Sequence, residues 1–401
     1  MSVSDTTGAA VYYDPCDVEI DDDPYPVWKR LRDEAPLYRN DEHGFYALSR
    51  WDDVEPALLD WRTYRSGRGT IFEIIKADVE IPPGIILFED PPIHDLHRGV
   101  LSRVFTPRRM AAVEPLVRDF CAKALDPLAG AGELDVIADL GVLVPMRTIG
   151  YLLGIPEEAQ RTIRDFSDDN LELRDGAPAE FDARSFDDAN ALVAEYIDWR
   201  AAHPSDDLMT ELLNAEVEED GVRRRLTRTE VLTYTNMVAG AGNETGTRLI
   251  GFAMQLLADH PAQREAIVGD PGLIPAAIEE VLRFEAPSPV QARHVARDVE
   301  VHGRTVPEGS IMLLLNGAAN RDERRFEDAG RFDVHRTARS HLAFGYGPHF
   351  CLGASLARLE GRVALEEFLK RWPAWEVDHD RAAKAHTASV RGWERLPVRV
   401  R

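Results

Sequence analysis

A mainly α-helical fold with a small β region is what the sequence predicts, on three observations. Apolar residues recur at three-to-four spacing in two long stretches, strict alternation is confined to short ones, and no Ser/Gly-rich or Pro-rich linker divides the 401 residues. With 44% hydrophobic residues the chain can bury a large core, so a single domain over residues 1–401 is expected, with residues 1–20 as a poorly ordered extension.

Taken in order, Phe45-Tyr46-Ala47-Leu48 reads as a strand. Val113, Leu116, Val117 and Phe120 mark the buried face of a helix that runs out near Pro127, because proline cannot continue a helix interior. The stretch from Asp175 to Asn190 is acidic and broken by Gly176 and Pro178, which predicts a mobile, solvated connection between helices. A long helix begins near Thr229 and carries Leu249, Ile250, Phe252, Ala253, Leu256 and Leu257 before it stops ahead of Pro261. Val299-Glu300-Val301 reads as a second strand, and Ala354 to Glu360 as the start of a further helix.

Seventy acidic residues against 47 basic ones give a net charge of -23, which repels phosphate backbones and argues against nucleic-acid binding. No stretch reaches the roughly 18 consecutive apolar residues of a membrane-spanning helix. The first twenty residues lack a basic start followed by an apolar run, so a cytoplasmic protein is expected. Three cysteines, Cys16, Cys121 and Cys351, lie too far apart for a metal knuckle or a disulfide framework.

The segment richest in chemistry runs Phe344-Gly345-Tyr346-Gly347-Pro348-His349-Phe350-Cys351-Leu352-Gly353 into the Ala354 helix. Its glycines tolerate positive φ, so the backbone can turn beneath a flat ligand and aim N–H groups at a sulfur. A helix N-terminus also favours a thiolate over a thiol. A lone cysteine is otherwise most often a small buried hydrophobe. Glu280 and Arg283, three apart on a helix, share a face and can pair. In Ala241-Gly242-Asn243-Glu244-Thr245 a mid-helix glycine costs about 1 kcal/mol relative to alanine and asks for a reason. That reason is close approach of a ligand, with a threonine hydroxyl bonded one turn back helping to open the helix, or simple helix packing.

The loop resembles the FGxGxHxCxG haem-binding loop of the cytochrome P450 family at every defining position, and Glu280-Val281-Leu282-Arg283 resembles its ExxR signature. Asp90-Pro91-Pro92-Ile93-His94-Asp95-Leu96-His97-Arg98 is similar to its DPPxHxxxR stretch, and the similarity continues from Pro24 to Val398. This resemblance implies the family's triangular fold, with haem b (iron protoporphyrin IX) held between a distal helix and the cysteine loop. It implies Cys351 as the iron ligand, with Phe344, Gly353, Ala241 and Gly242 against the cofactor. His94, Arg98, Arg293 and His349 would hold the propionates, whose buried charge needs cationic or N–H partners. Arg331, in Gly330-Arg331-Phe332-Asp333, would complete a buried Glu280/Arg283/Arg331 network serving folding and haem retention. Thr245 and Glu244 match the family's acid-alcohol pair, implying that they orient and relay protons toward dioxygen. Asn243 stands where bacterial members often have histidine, and Gly246 where a second hydroxyl residue is usual, which puts the water network around the pair in doubt.

The implied activity is monooxygenation of a small molecule, with one oxygen atom of dioxygen reduced to water. No nucleotide-binding G-x-G-x-x-G follows a strand, so electrons are expected from a ferredoxin and a ferredoxin reductase. Arg98, Arg103, Arg108 and Arg109 form a basic cluster that would steer an acidic ferredoxin, or else a solvated helix face. Ile71, Phe72, Ile74, Ile75, Ile85, Ile86, Leu87, Val238, Val290 and Val390 fall in segments that line the family's distal cavity, or belong to the core. As a lining they would suit a lipid, terpenoid or steroid-like substrate. A peroxide-using haem-thiolate enzyme would replace the acid-alcohol pair with Arg-Pro, and a non-catalytic haem sensor would not need the pair.

Overall fold

The computed structural model describes residues 10–82, 84–157, 159–162, 173–174, 177–178, 184–219, 221–337, 340–387 and 389–401. The helices that shape the molecule are α1 (Tyr25–Glu34), α2 (Phe72–Ala77), α3 (Ile93–Ser102), α4 (Pro107–Leu125), α5 (Leu143–Leu153), α6 (Arg184–Ala202), α7 (Arg228–Asp259), α8 (Pro261–Gly269), α9 (Ile274–Phe284) and α10 (Ala354–Arg371). Beside them lies a sheet of β1 (Leu37–Asn40), β2 (Phe45–Leu48), β3 (Tyr64–Arg65), β4 (Gln291–Val295) and β5 (Ile311–Leu314), in spatial order β1-β2-β5-β4-β3. Within it only β2 and β5 run parallel, with Ile311 opposite Phe45. A hairpin of β6 (Ala383–His386) and β7 (Arg391–Arg395) covers the far side of α7.

The central element is α7, whose 32 residues span about 48 Å at a rise of 1.5 Å per residue. Its start is fixed reciprocally: the Thr227 hydroxyl accepts from the Glu230 N–H, and the Glu230 carboxylate accepts from the Thr227 N–H. From Glu230 to Leu257 buried residues occur on every face, as expected of a helix enclosed by others. Gly242 and Gly246 let α5 approach it. A Cβ on Gly242 would stand 2.6 Å from Ile149 Cδ1, and one on Gly246 2.9 Å from Pro145 Cγ. Helix packing therefore accounts for a glycine at 242, and the contact with Pro145 excludes a larger residue at 246, where the second hydroxyl is missing.

Residues 10–20 are better anchored than a disordered extension would be. Tyr13 is buried, its N–H donates to the Tyr38 hydroxyl at 3.1 Å and its carbonyl accepts from Asn40 at 3.0 Å. Of the connection expected over 175–190, residues 184–190 belong to α6 and Ala177–Pro178 to a short strand, and the other seven lie outside the described residues.

Helix α9 buries Glu280 and Arg283 completely, as a bidentate pair with N···O distances of 2.7 and 2.8 Å. Arg283 also donates to the carbonyls of Asn320 and Ala329, both at 2.9 Å, and of Arg331 at 3.2 Å. Arg331 thus enters the network only through its backbone: its side chain is 64% exposed and paired with Asp333. The third side chain is Arg336, whose Nε lies 3.1 Å from Glu280 Oε1 and whose other nitrogens bond the carbonyls of Glu327, Asp328 and Arg331. Four residues of irregular chain separate the two arginines, and the turn at 333–336 points the later one inward. Removing one partner of a buried charge pair costs about 3 kcal/mol or more, so Arg336→Ala is expected to lower stability by that order. Arg331→Ala should change it by under about 0.5 kcal/mol, and the denaturant midpoints of the two variants check the order.

Candidate active site

The cysteine loop turns where its glycines allow. Gly345 and Gly347 have φ of 67° and 71°, and a Cβ on Gly347 would meet the Leu58 carbonyl at 2.9 Å. Cys351 N–H donates to the Phe344 carbonyl at 2.8 Å, which closes the loop and sets the sulfur before the first turn of α10. Burial pushes the Cys351 thiol up, while the Gly353 N–H and the Arg98 and Arg358 guanidinium groups pull it down. Phe344 is buried beneath the Arg358 guanidinium, 4.6 Å from ring centroid to cation.

Beside the loop four basic side chains converge. His94 and Arg98 share a face of α3, and Arg98 donates to the Phe350 carbonyl at 2.5 Å. The His94 and His349 rings lie 4.3 Å apart, and each leaves a buried Nε2 without a partner among the described residues. Arg293, on β4, is buried and has its pKa lowered to about 10 by desolvation, against the attraction of Asp90. Burial, with Arg293, His94 and Arg98 nearby, drives His349 down to about 2. Orphaned donors and crowded positive charge in one place call for a polyanion, and the two carboxylates of a haem fit that demand.

Opposite the loop, the Thr245 hydroxyl donates to the Ala241 carbonyl at 2.9 Å, yet α7 continues unbroken through it. Glu244 is buried and its Oε1 lies 3.3 Å from Arg248 Nη2. Asn243 is also buried but is not among the residues facing the cavity.

Between loop and helix lies a cavity of about 510 Å³. Cys351, Gly353, Phe344, His349, Arg98 and Arg293 line it on one side, and Ala241, Gly242, Glu244 and Thr245 on the other. Of the apolar residues expected around it, Ile71, Ile74, Ile85, Ile86, Leu87, Val238 and Val390 do line it. Phe72, Ile75 and Val290 do not: they pack on the sheet side with Tyr38 and Phe45, the Phe45 and Phe72 rings 5.2 Å apart. For Phe72 and Ile75 helix geometry is the reason, since the turn at 71–77 puts 71 and 74 to one side and 72 and 75 to the other.

Sequence reasoning missed Thr70, Thr233, Asn236, Ser288 and Gln291, which supply polar points in the lining. They lie in segments already picked for their apolar neighbours and carry no signal of their own. It also missed Glu360 on α10, whose Oε1 is buried and unpartnered among the described residues. In sequence it looks like a solvated helix glutamate.

Residues 272–389 match the family model described as cytochrome P450. The chain is 36% identical over 392 residues to cytochrome P450 130 of Mycobacterium tuberculosis, covering 94% of this chain and 95% of the relative. The chain belongs to the cytochrome P450 family. This P450 is also 35% identical over 381 residues to the vitamin D(3) 25-hydroxylase of Pseudonocardia autotrophica, covering 94% and 93% of the two chains. Among solved structures, cytochrome P450 CYP109Q5 from Chondromyces apiculatus superposes with a TM-score of 0.84 at 35% identity, over 97% of this chain and 98% of that one. The fold and the enzyme class, a haem-thiolate monooxygenase, follow from the membership. Among the described residues no helix is long and apolar enough to cross a membrane.

Burial raises the Glu360 carboxyl from 4.5 to about 8, against a hydrogen bond with Thr148. The folded P450 therefore holds a proton there that the unfolded chain releases, and stability falls as pH rises from about 4.5 through about 8. Glu360→Gln is expected to flatten that part of the stability–pH curve by several kcal/mol, as urea unfolding at pH 5 and pH 8.5 will read. An unchanged slope contradicts the assignment.

Proposed function

We propose that this P450 inserts one oxygen atom of dioxygen into a hydrophobic small molecule of lipid, terpenoid or steroid-like type, using haem b and two electrons from a ferredoxin. The balance is RH + O2 + 2e− + 2H+ → ROH + H2O. The observation that carries this reading is that Glu244 and Thr245 line the same cavity as Cys351, within otherwise largely apolar walls. A relative named for hydroxylating vitamin D(3) supports an apolar substrate.

The bound haem supplies activation of dioxygen, and a thiolate ligand, as in this family generally, favours O–O cleavage. The protein's own part is positional. Cys351 is the ligand, held by the turn at Gly345 and Gly347. His94, Arg98, Arg293 and His349 would take the propionates. The Thr245 hydroxyl spends its proton on the Ala241 carbonyl, so its oxygen is left to accept a hydrogen bond from a proton donor in the cavity. Glu244, one residue earlier, relays protons to that point. Isoleucine side chains from α2 and the 85–86 segment exclude bulk water and hold the substrate by apolar contact.

Ferredoxin docking is narrower than the basic cluster suggested. Arg98 faces the cavity, and Arg109 is paired with Glu211 at 2.7 Å. Arg103 and Arg108 remain exposed, as does the Phe350 ring of the cysteine loop.

Thr245→Ala is expected to keep the cofactor and the substrate-induced spin shift while product per NADPH falls at least about tenfold, with the electrons recovered as hydrogen peroxide. Product yield equal to wild type would remove the proton role. Charge reversal at Arg103 and Arg108 should slow reduction by ferredoxin about tenfold at low ionic strength, an effect that salt erases. Stopped-flow reduction at unchanged speed would move the docking face elsewhere.

A further inference from the structure

We propose that Arg248 is the positioning residue for proton delivery: it holds the Glu244 carboxylate in place and couples it to the strand that follows the cavity-lining Val390. This rests on the reading of Glu244 as the proton relay.

A carboxylate buried as deeply as Glu244 needs a cationic or hydrogen-bonding partner to stay ionised. Arg248, one helical turn later on α7 and itself buried, supplies the cation, with Nη2 3.3 Å from Glu244 Oε1. The same carboxylate belongs to a residue that lines the cavity, so the ion pair sits at the cavity's edge. On its other side Arg248 donates through Nη1 to the carbonyl of Trp393 in β7. Its aliphatic stem fills the place a side chain at 392 would take: a Cβ there would lie 2.6 Å from Arg248 Cδ and 2.8 Å from its Cβ.

The strand β7 in turn leads to the cavity. Val390, two residues before Gly392, faces it and is fixed by Thr387, whose hydroxyl accepts from the Val390 N–H at 3.0 Å and donates to its carbonyl at 2.6 Å. Arg391 N–H donates to the Pro287 carbonyl at 2.8 Å, which ties the same strand to the segment before β4. A continuous packed path therefore runs from Val390 through Gly392 and the Trp393 carbonyl to Arg248 and Glu244. Substrate that presses on Val390 shifts the anchor of Arg248 and, with it, the ease with which Glu244 swings toward Thr245.

The test uses the holoenzyme with NADPH, a ferredoxin and its reductase, and no added substrate, in H2O and in D2O. The readouts are the fraction of consumed dioxygen released as hydrogen peroxide and the solvent isotope effect on dioxygen consumption. Arg248→Met should change both at least about threefold while leaving the carbon monoxide spectrum intact, and Arg248→Lys, which keeps charge but loses the planar fork, should recover part of the change. Gly392→Ala, which displaces the Arg248 stem and keeps both charges, should move the readouts in the same direction and serves if the methionine variant does not fold. In a Glu244→Gln background Arg248→Met should add nothing further. If Glu244→Gln moves the readouts and neither Arg248→Met nor Gly392→Ala does, the role of Arg248 is overturned. If Glu244→Gln itself has no effect, the reading of Glu244 as relay fails, and the Arg248 proposal with it.

Discussion

Cys351, just before α10, and Thr245 in the middle of α7 must face one another at a fixed separation, and the rest of the molecule sets that separation. The space between them, about 510 Å³, is where haem and substrate would sit, so its walls decide what fits there. One wall is α7, enclosed by α5 through Gly242 and Gly246 and backed by the β6–β7 hairpin. The other is the cysteine loop, fixed by its glycine turn and by the buried Glu280/Arg283/Arg336 network, which gathers the carbonyls of residues 320 to 331 ahead of it.

Charge burial gives the gap its chemistry. On the propionate side burial lowers the pKa of Arg293 and, with Arg293, His94 and Arg98 nearby, that of His349. On the distal side the Arg248 guanidinium meets the Glu244 carboxylate. Glu360 meets no cation among the described residues, and burial raises its carboxyl instead. The same solvent of low polarity thus yields an anion site, a held carboxylate and a protonated acid, according to what each residue meets.

Much of this was legible in the sequence where the determinants are local. The ten-residue cysteine loop, the i,i+3 pair on α9 and the Glu244–Thr245 step on α7 each lie within a few residues, so motif and geometry coincide. Pro127 and Pro261 lie within a few residues of the ends of α4 and α7, although α4 runs on through Pro115. What escaped depends on irregular or distant chain. Arg331 and Arg336 cannot be told apart without the turn between them, and the pairing of Arg109 with Glu211 spans 102 residues. Helix α2 has only six residues, Phe-Glu-Ile-Ile-Lys-Ala, too short and too apolar for periodicity to show which side faces the cavity. Gly242 was read with two reasons open, and the structure gives it both a close contact with Ile149 and a place in the cavity lining.

The most direct measurement is the absorption spectrum of the purified protein, reduced and exposed to carbon monoxide, beside its Cys351→Ser variant. A strongly red-shifted Soret band in wild type that is lost in the variant is the predicted result, because only a thiolate from this loop places that sulfur on the iron. A protein that binds no haem, or a band unaffected by the substitution, would contradict the account at its centre.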